Sequence, residues 1–199
     1  MRQIVTGGIA LLFLHLFSGC EEQKKAPVVP TVERDSVITL PDSTLYGRLG
    51  EGTGMSCLEF ITENGDTLVL NKMSEYTGEY GNILGTIENY TDRFGIVTAD
   101  NNQCVHVAVN INQLAQRWKS VENKKDGFQL NEDGTASPLS QTSPQYTAWR
   151  LYNGRLLLNV KVMGEYGEEI RTDSTTIVSL DPNTLVIRDH NNQIFKYYR

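Results

Sequence analysis

Short runs of alternating apolar and polar residues cover most of this 199-residue chain. The runs are rich in β-branched and aromatic residues and are separated by turn residues, which is typical of β-strands. Upstream of Asn112, the predicted strands cover 37–40, 45–49, 56–62, 67–71, 83–88, 94–98 and 104–111. Seven short, closely spaced strands predict a small β-barrel or sandwich over residues 36–112.

The rest of the chain, residues 113–199, contains eight further runs with the same texture. They cover 118–121, 127–130, 135–140, 146–152, 155–163, 170–180, 184–188 and 194–199. Strong turn signals separate them, among them Asn153-Gly154, because Asn-Gly favours a tight hairpin. Eight strands joined in this way predict an up-and-down barrel. The predicted fold is therefore all-β, with a domain boundary near Asn112.

The first 19 residues have the layout of a secretory signal. A basic residue, Arg2, precedes an apolar run over 9–17 and the small pair Ser18-Gly19. The run is too short to span a bilayer, which takes about 20 apolar residues. These features predict a signal peptide over residues 1–19, followed by a spacer over residues 20–35 that contains Pro27 and Pro30.

The segment Phe17-Ser18-Gly19-Cys20 resembles the lipobox of bacterial lipoproteins. The resemblance implies cleavage before Cys20 and acylation of its thiol, and several acyl chains anchor a protein stably to a membrane. We therefore expect a lipid-anchored protein of the cell envelope, at the outer membrane, with the periplasmic and surface faces both open. Alternatively, Cys20 follows an ordinary secretory signal and the mature protein is soluble.

Charge narrows the choice of partners. Removal of residues 1–19 takes away one arginine and leaves 17 basic against 24 acidic residues, a net charge of −7. Nucleic acids and anionic lipid surfaces bind through positive patches, and this chain has no cluster of lysine and arginine. We expect no nucleic-acid partner and no cofactor, and the oligomeric state stays open.

Two cysteines, Cys57 and Cys104, follow Cys20. Outside the cytoplasm a pair of thiols is often a disulfide. Each lies on the face of its predicted strand opposite the apolar residues, so a bridge is permitted if the two Cα atoms come within about 7 Å. Both the bridged and the free state remain open.

Catalytic and metal-binding patterns are weak. The mature chain has two histidines, His106 and His190, both predicted on the surface, and no spacing of a zinc site. Glu165, Glu168, Glu169 and Asp173 predict a solvated loop and strand edge, because general acid–base work needs a buried carboxylate. The sequence therefore predicts a protein without enzymatic activity.

A spaced set of residues resembles the lipocalin-like domain of small bacterial lipoproteins. It runs from Leu114-x-x-x-Trp118 through Gly127-Phe128, Tyr146-x-x-Trp149 and Leu156-x-Leu158 to Phe195-x-Tyr197-x-Arg199. The resemblance implies that Trp118, on the first barrel strand, stacks against Arg199 on the last. The glycine that this family usually has two residues before the tryptophan is Gln116 here.

The predicted barrel has two functional interpretations. An eight-stranded barrel is just wide enough either to be filled by side chains or to hold one small ligand. We expect a binding protein for a small apolar ligand or an envelope component. The alternative is a structural or assembly lipoprotein with a filled barrel, and a cavity of about 300 Å³ or more would favour binding.

One modification pattern is present. The triplets Asp35-Ser36-Val37 and Asp42-Ser43-Thr44 resemble acceptor sites for O-glycosylation in some anaerobic Gram-negative bacteria. Ser36 and Ser43, next to the predicted spacer, are the best candidates.

Overall fold

A computed structural model describes residues 40–199 and shows a nearly all-β protein, which confirms the predicted fold class. Its strands are β1 (Leu45–Leu49), β2 (Cys57–Thr62), β3 (Thr67–Asn71), β4 (Asn82–Leu84), β5 (Arg93–Ala99), β6 (Cys104–Asn110), β7 (Arg117–Ser120), β8 (Gly127–Leu130), β9 (Ala136–Pro138), β10 (Tyr146–Tyr152), β11 (Arg155–Gly164), β12 (Gly167–Leu180), β13 (Thr184–Arg188) and β14 (Ile194–Tyr198). One short helix, α1 (Ile111–Leu114), separates β6 from β7. Cys20, Ser36 and the predicted signal peptide and spacer lie outside the described residues. Within residues 40–199 no helix has the length and apolar character needed to cross a bilayer.

The first sheet, called here the N-terminal sheet, consists of β1 to β6 in the order β3-β2-β1-β5-β6-β4. A parallel bridge from Asn71 to Cys104 also joins β3 to β6 and curls the sheet into a small barrel. Alternate residues of its strands form a buried core that includes Leu58, Phe60, Leu70, Phe94 and Ile96. The strand predicted over 83–88 ends already at Leu84, because Gly85 takes a left-handed conformation (φ 93°).

The second sheet, called here the C-terminal barrel, contains eight antiparallel strands in the order β10-β11-β12-β13-β14-β7-β8-β9. β14 pairs with β7 at Tyr197–Ser120. On the other side, the Trp149 amide donates to the Gly134 carbonyl at 2.8 Å and helps to join β10 to the β8–β9 hairpin. The barrel is thus nearly closed, as predicted. Its inward-facing residues form one core, among them Trp118, Phe128, Leu130, Leu156, Leu158 and Leu185.

Strand β6 contributes to both cores because it contains a β-bulge. Val107 pairs with Val97, but Val105 pairs with the next residue, Thr98, so His106 is an extra residue. The bulge reverses the faces of the strand: Val105 packs in the N-terminal sheet, whereas Val107 and Val109 pack against the barrel core. Strict alternation in this strand, with Cys104 on one face, predicts Val105, Val107 and Val109 together on the other. This prediction is wrong, because period-two alternation does not survive an inserted residue.

The two sheets share a hydrophobic boundary. Leu84, Val109 and Ile111 come from the N-terminal half of the chain and belong to the core of the C-terminal barrel. Polar contacts surround this patch: the Tyr46 hydroxyl donates to the Leu151 carbonyl at 3.3 Å, and the Gly85 amide donates to the Leu180 carbonyl at 3.0 Å. The N-terminal sheet therefore covers one end of the barrel.

Residues 41–44 are fixed to the same end of the barrel by the hairpin turn between β10 and β11. Asn153 and Gly154 both have positive φ (48° and 78°), the combination that an Asn-Gly turn favours. The amide and hydroxyl of Ser43 donate to Asn153 Oδ1 at 2.8 and 2.7 Å, and Asn153 Nδ2 donates to the Pro41 carbonyl at 3.1 Å. We call this set of hydrogen bonds the Asn153 clasp. Ser43 is exposed, but its hydroxyl is held against the barrel.

Replacing Asn153 with glycine should release the clasp and keep the turn, since glycine accepts positive φ. Three side-chain hydrogen bonds are lost, so we expect the free energy of unfolding to fall by about 1–2 kcal/mol. Urea unfolding with an unchanged m-value would measure it. The matched control is Asn192→Gly, because Asn192 also has positive φ (63°) and is exposed in a turn. Equal losses in both variants would show that the clasp contributes nothing.

Candidate functional site

A small cavity of about 160 Å³ lies at the end of the C-terminal barrel opposite the N-terminal sheet. Strand direction fixes its position: β10 starts at Tyr146, which lines the cavity, and ends at Tyr152, beside the Asn153 clasp. Likewise, β13 starts near the N-terminal sheet and runs to the cavity, where Ile187 and the turn at Asp189 contribute to the wall. We call this cavity the barrel-end pocket.

Most of the barrel interior is filled. Trp118 and Phe128 are fully buried inside it, and the rings of Tyr146 and Tyr197 pack edge-on against Phe128, with centroids 5.3 and 4.9 Å away. The barrel-end pocket has about half the volume of 300 Å³ expected for a ligand cavity, because these aromatic rings occupy the adjoining part of the barrel interior. The pocket is thus smaller than the volume set above as favouring binding, and the rest of the interior is filled by side chains.

Strand alternation places an acidic residue inside the barrel. Leu156 and Leu158 face inwards on β11, and their partners on β12 are Thr175 and Asp173. Asp173 therefore faces the interior, at the wall of the barrel-end pocket. Its predicted place among solvated carboxylates is wrong, since only Glu165 and Glu168 of that group are exposed. Counting back by twos from the apolar Ile177 would have revealed its inward position.

Three polar groups meet in the barrel-end pocket without protein partners. Tyr146 and Tyr197 are only 8% and 7% exposed, and Asp173 is half-buried. Within residues 40–199, neither the two phenol oxygens nor the Asp173 carboxylate forms a hydrogen bond to another residue. The fully buried side-chain atoms without a partner in residues 40–199 are Arg155 Nε and Arg171 Nε. The two phenol oxygens and the Asp173 carboxylate therefore reach the cavity, where water or a ligand can complete their hydrogen bonding.

Burial dominates the electrostatics of the pocket. It raises the pKa of the Tyr197 hydroxyl to about 12 and that of Tyr146 further, with smaller contributions from the neighbouring acidic groups. Burial also raises the pKa of the Asp173 carboxyl; His190 and Arg171 oppose this rise, and Asp189 adds to it. Both phenols remain protonated near neutral pH, so each offers one donor and its oxygen lone pairs.

Larger depressions lie on the surface of the described chain. One of about 420 Å³ lies against the N-terminal sheet and is lined by Arg93 and Glu63. These two side chains pair with each other at 2.6 Å, and Arg48 lines the same depression.

Cys57 and Cys104 flank the same residue of β3. Cys57 pairs with Asn71 on one side, and Cys104 pairs with it on the other, so the two cysteines are two strands apart, a distance of roughly 9.5 Å in a sheet. A disulfide needs Cα atoms closer than about 7 Å. Both thiols are free: Cys57 lies near the Gly52 carbonyl at 3.8 Å, and Cys104 donates to the Asp100 carboxylate at 3.0 Å. Each cysteine lies on the strand face predicted for it, but the two Cα atoms are too far apart for a disulfide.

Trp118 and Arg199 lie at the same end of the barrel but make separate contacts. Trp118 is fully buried, and its indole N–H donates to the Leu114 carbonyl at 2.8 Å. The exposed Arg199 donates to Gln116 Oε1, also at 2.8 Å. The cation–aromatic contacts in residues 40–199 are Arg93–Tyr46, Lys119–Tyr198 and Arg150–Tyr152. Gln116, which stands where glycine is usual in the family that the sequence resembles, is thus the hydrogen-bond partner of Arg199.

Metal ligands do not cluster in the part of the chain that the structure covers, 40–199: no three histidine, cysteine or acidic side chains are placed to bind an ion. His106 and His190 are both exposed, His106 at the bulge and His190 in the turn after β13.

Residues 109–199 match the family model described as lipocalin-like. Together with the eight-stranded antiparallel barrel, this match identifies the C-terminal part of the chain as a lipocalin-like domain. A crystal structure of a lipocalin-like protein from Bacteroides thetaiotaomicron is similar to this chain at 22% identity, over 43% of this chain and 95% of that one, with a TM-score of 0.38. Comparison with curated proteins finds no match.

The unpaired Asp173 carboxylate should reduce stability at neutral pH. A carboxyl whose pKa is raised by folding binds its proton more tightly in the folded state, so its contribution to stability falls as pH rises above the ordinary value of 3.8. Asp173→Asn should therefore be more stable than the parent at pH 7, by less than about 1 kcal/mol because solvent screens a half-exposed charge. At pH 3 the difference should vanish. Urea midpoints at both pH values would measure it, and a variant less stable than the parent at pH 7 would contradict the raised pKa.

Proposed function

We propose that this protein is a lipid-anchored, non-enzymatic binding protein of the bacterial cell envelope, and that its lipocalin-like domain holds a small ligand in the barrel-end pocket. The observation that carries the proposal is the convergence of Tyr146, Tyr197 and Asp173, which lack protein partners, on one cavity. The match of residues 109–199 to the lipocalin-like family supports a role in binding small ligands.

The size and lining of the pocket limit the ligand. A volume of 160 Å³ is about five times the volume of a water molecule in the liquid. Ile187 and Phe195 provide an apolar wall, and Asp173 with the two tyrosines provides a polar one. The ligand is therefore a small molecule with an apolar body and a polar group, more polar than the apolar ligand predicted from sequence.

Binding is favoured over catalysis by the contacts of the histidines. Covalent catalysis by serine, threonine or cysteine needs a base within hydrogen-bond reach of the nucleophile. Within residues 40–199 the two histidines, His106 and His190, are exposed, and neither is hydrogen-bonded to a serine, threonine or cysteine.

Anchoring to the envelope is supported by the segment Ser18-Gly19-Cys20 at the end of a short apolar run. The outer membrane is the proposed location, with either face. The Asn153 clasp holds the chain from Pro41 onwards, so the spacer over 20–35 would join the anchor to a folded body.

Filling the barrel-end pocket should abolish binding. Ile187→Trp places a large ring into the cavity, whereas Val186→Trp, one residue away on the outer face of β13, is the matched control. We expect native mass spectrometry of the protein purified from its own membranes to show a small bound molecule with the parent chain and with Val186→Trp. The molecule should be absent from Ile187→Trp, with folding checked by near-ultraviolet circular dichroism. A parent chain without any bound molecule would favour the structural or assembly role.

The anchor can be tested independently. Mass spectrometry of the membrane-extracted protein should show an N-terminal Cys20 that carries acyl chains. Cys20→Ser should move the protein from the membrane to the soluble fraction, because no acyl chain then holds it. Cys57→Ser should stay on the membrane and serves as the control. An unmodified N-terminus in the membrane-extracted parent would overturn the anchor.

A further inference from the structure

We infer that the ligand of the barrel-end pocket is a small primary amine, bound in its ammonium form by the Asp173 carboxylate. The inference rests on the proposed function, since it names the chemical class of ligand for the same site.

The charge at the pocket wall is negative. Asp173 faces the cavity without a protein partner, and Asp189 is the second acid in the lining. The Asp189 carboxylate already accepts hydrogen bonds from the amides of Asn191 and Gln193, at 2.9 and 2.8 Å, and so stabilises its own turn. Asp173 is thus the carboxylate left for a ligand, and it disfavours an anion.

The nearby basic groups offset the charge of Asp173 only in part, since burial still raises its pKa and neither group is hydrogen-bonded to it. Arg171 lies two residues earlier on β12, but its guanidinium faces Glu169 at 3.6 Å. His190 lies at the rim, and its side chain is exposed to water. A cationic ligand would give the half-buried carboxylate the partner that the protein does not provide.

The number of acceptors fits a primary ammonium group. Such a group has three N–H donors and no acceptor. The Asp173 carboxylate and the oxygens of Tyr146 and Tyr197 are three unpaired acceptor groups at one cavity. The aromatic rings of both tyrosines and of Phe195 also favour a cation beside them.

The remaining wall fits a short alkyl chain. Pro144, Ile187 and Phe195 line the cavity next to the polar groups. With room for about five water-sized groups, butylammonium is a suitable probe, and butan-1-ol and butyrate have the same chain with a neutral and an anionic end.

The test is an NMR titration of the full-length protein in detergent with these three probes. We expect butylammonium to bind at least tenfold more tightly than butan-1-ol, and butyrate not to bind.

Asp173→Asn should lower the affinity for butylammonium at least tenfold and leave that for butan-1-ol unchanged. Glu165→Gln, which removes an exposed carboxylate from the β11–β12 hairpin, should change neither affinity. Tyr146→Phe removes one acceptor and should weaken butylammonium binding several-fold.

Equal affinities for butylammonium and butan-1-ol, or an unchanged affinity for butylammonium in Asp173→Asn, would overturn the amine inference. So would a parent chain that carries a small molecule from its own membranes and binds no ammonium probe. In each of these cases the proposed ligand-binding function stands. A parent chain that carries no molecule and binds none of the probes would overturn both.

Discussion

The burial of apolar side chains between the two sheets is the constraint on which the rest of the structure depends. Leu84, Val109 and Ile111 complete the core of the barrel from outside it. Burial of one such side chain is worth about 1.5–3 kcal/mol, so these three contribute a large part of the stability of a marginally stable domain. The two sheets are therefore coupled through one core, although their hydrogen-bond ladders are separate.

This coupling leaves the two ends of the barrel unequal. The end that meets the N-terminal sheet is closed by apolar contacts and by backbone hydrogen bonds such as Gly85 to Leu180. The other end has no such cover within residues 40–199, and there the lining turns from leucine and phenylalanine to tyrosine and aspartate. Since one end supplies most of the packing between the sheets, the other is free to carry groups that cost stability, such as the half-buried Asp173.

Much of the fold could be predicted from sequence, because period-two patterns and turn residues are local signals. The eight barrel strands and the Asn153-Gly154 turn are where these signals place them. Local signals fail where one residue shifts the pattern, as at His106 in β6. They also fail for Cys57 and Cys104, whose separation depends on the register of three strands.

The barrel-end pocket was harder to predict. Tyr146 and Tyr197 lie about 50 residues apart and meet only because the barrel closes, so no spacing along the chain reveals them. Strand alternation along β12 predicts that the Asp173 side chain faces the barrel interior, but the acidic residues of the preceding hairpin indicate a solvated strand edge. Similarly, the contact of Arg199 with Gln116 depends on a side chain that the family usually lacks.

The Asn153 clasp also sets an orientation. It holds residues 41–44 at the closed end of the barrel, so the polypeptide that precedes residue 40 joins the folded body there. The pocket opens at the far end. If the proposed anchor holds the protein by that leading segment, the barrel-end pocket lies at the end of the folded body far from the lipid.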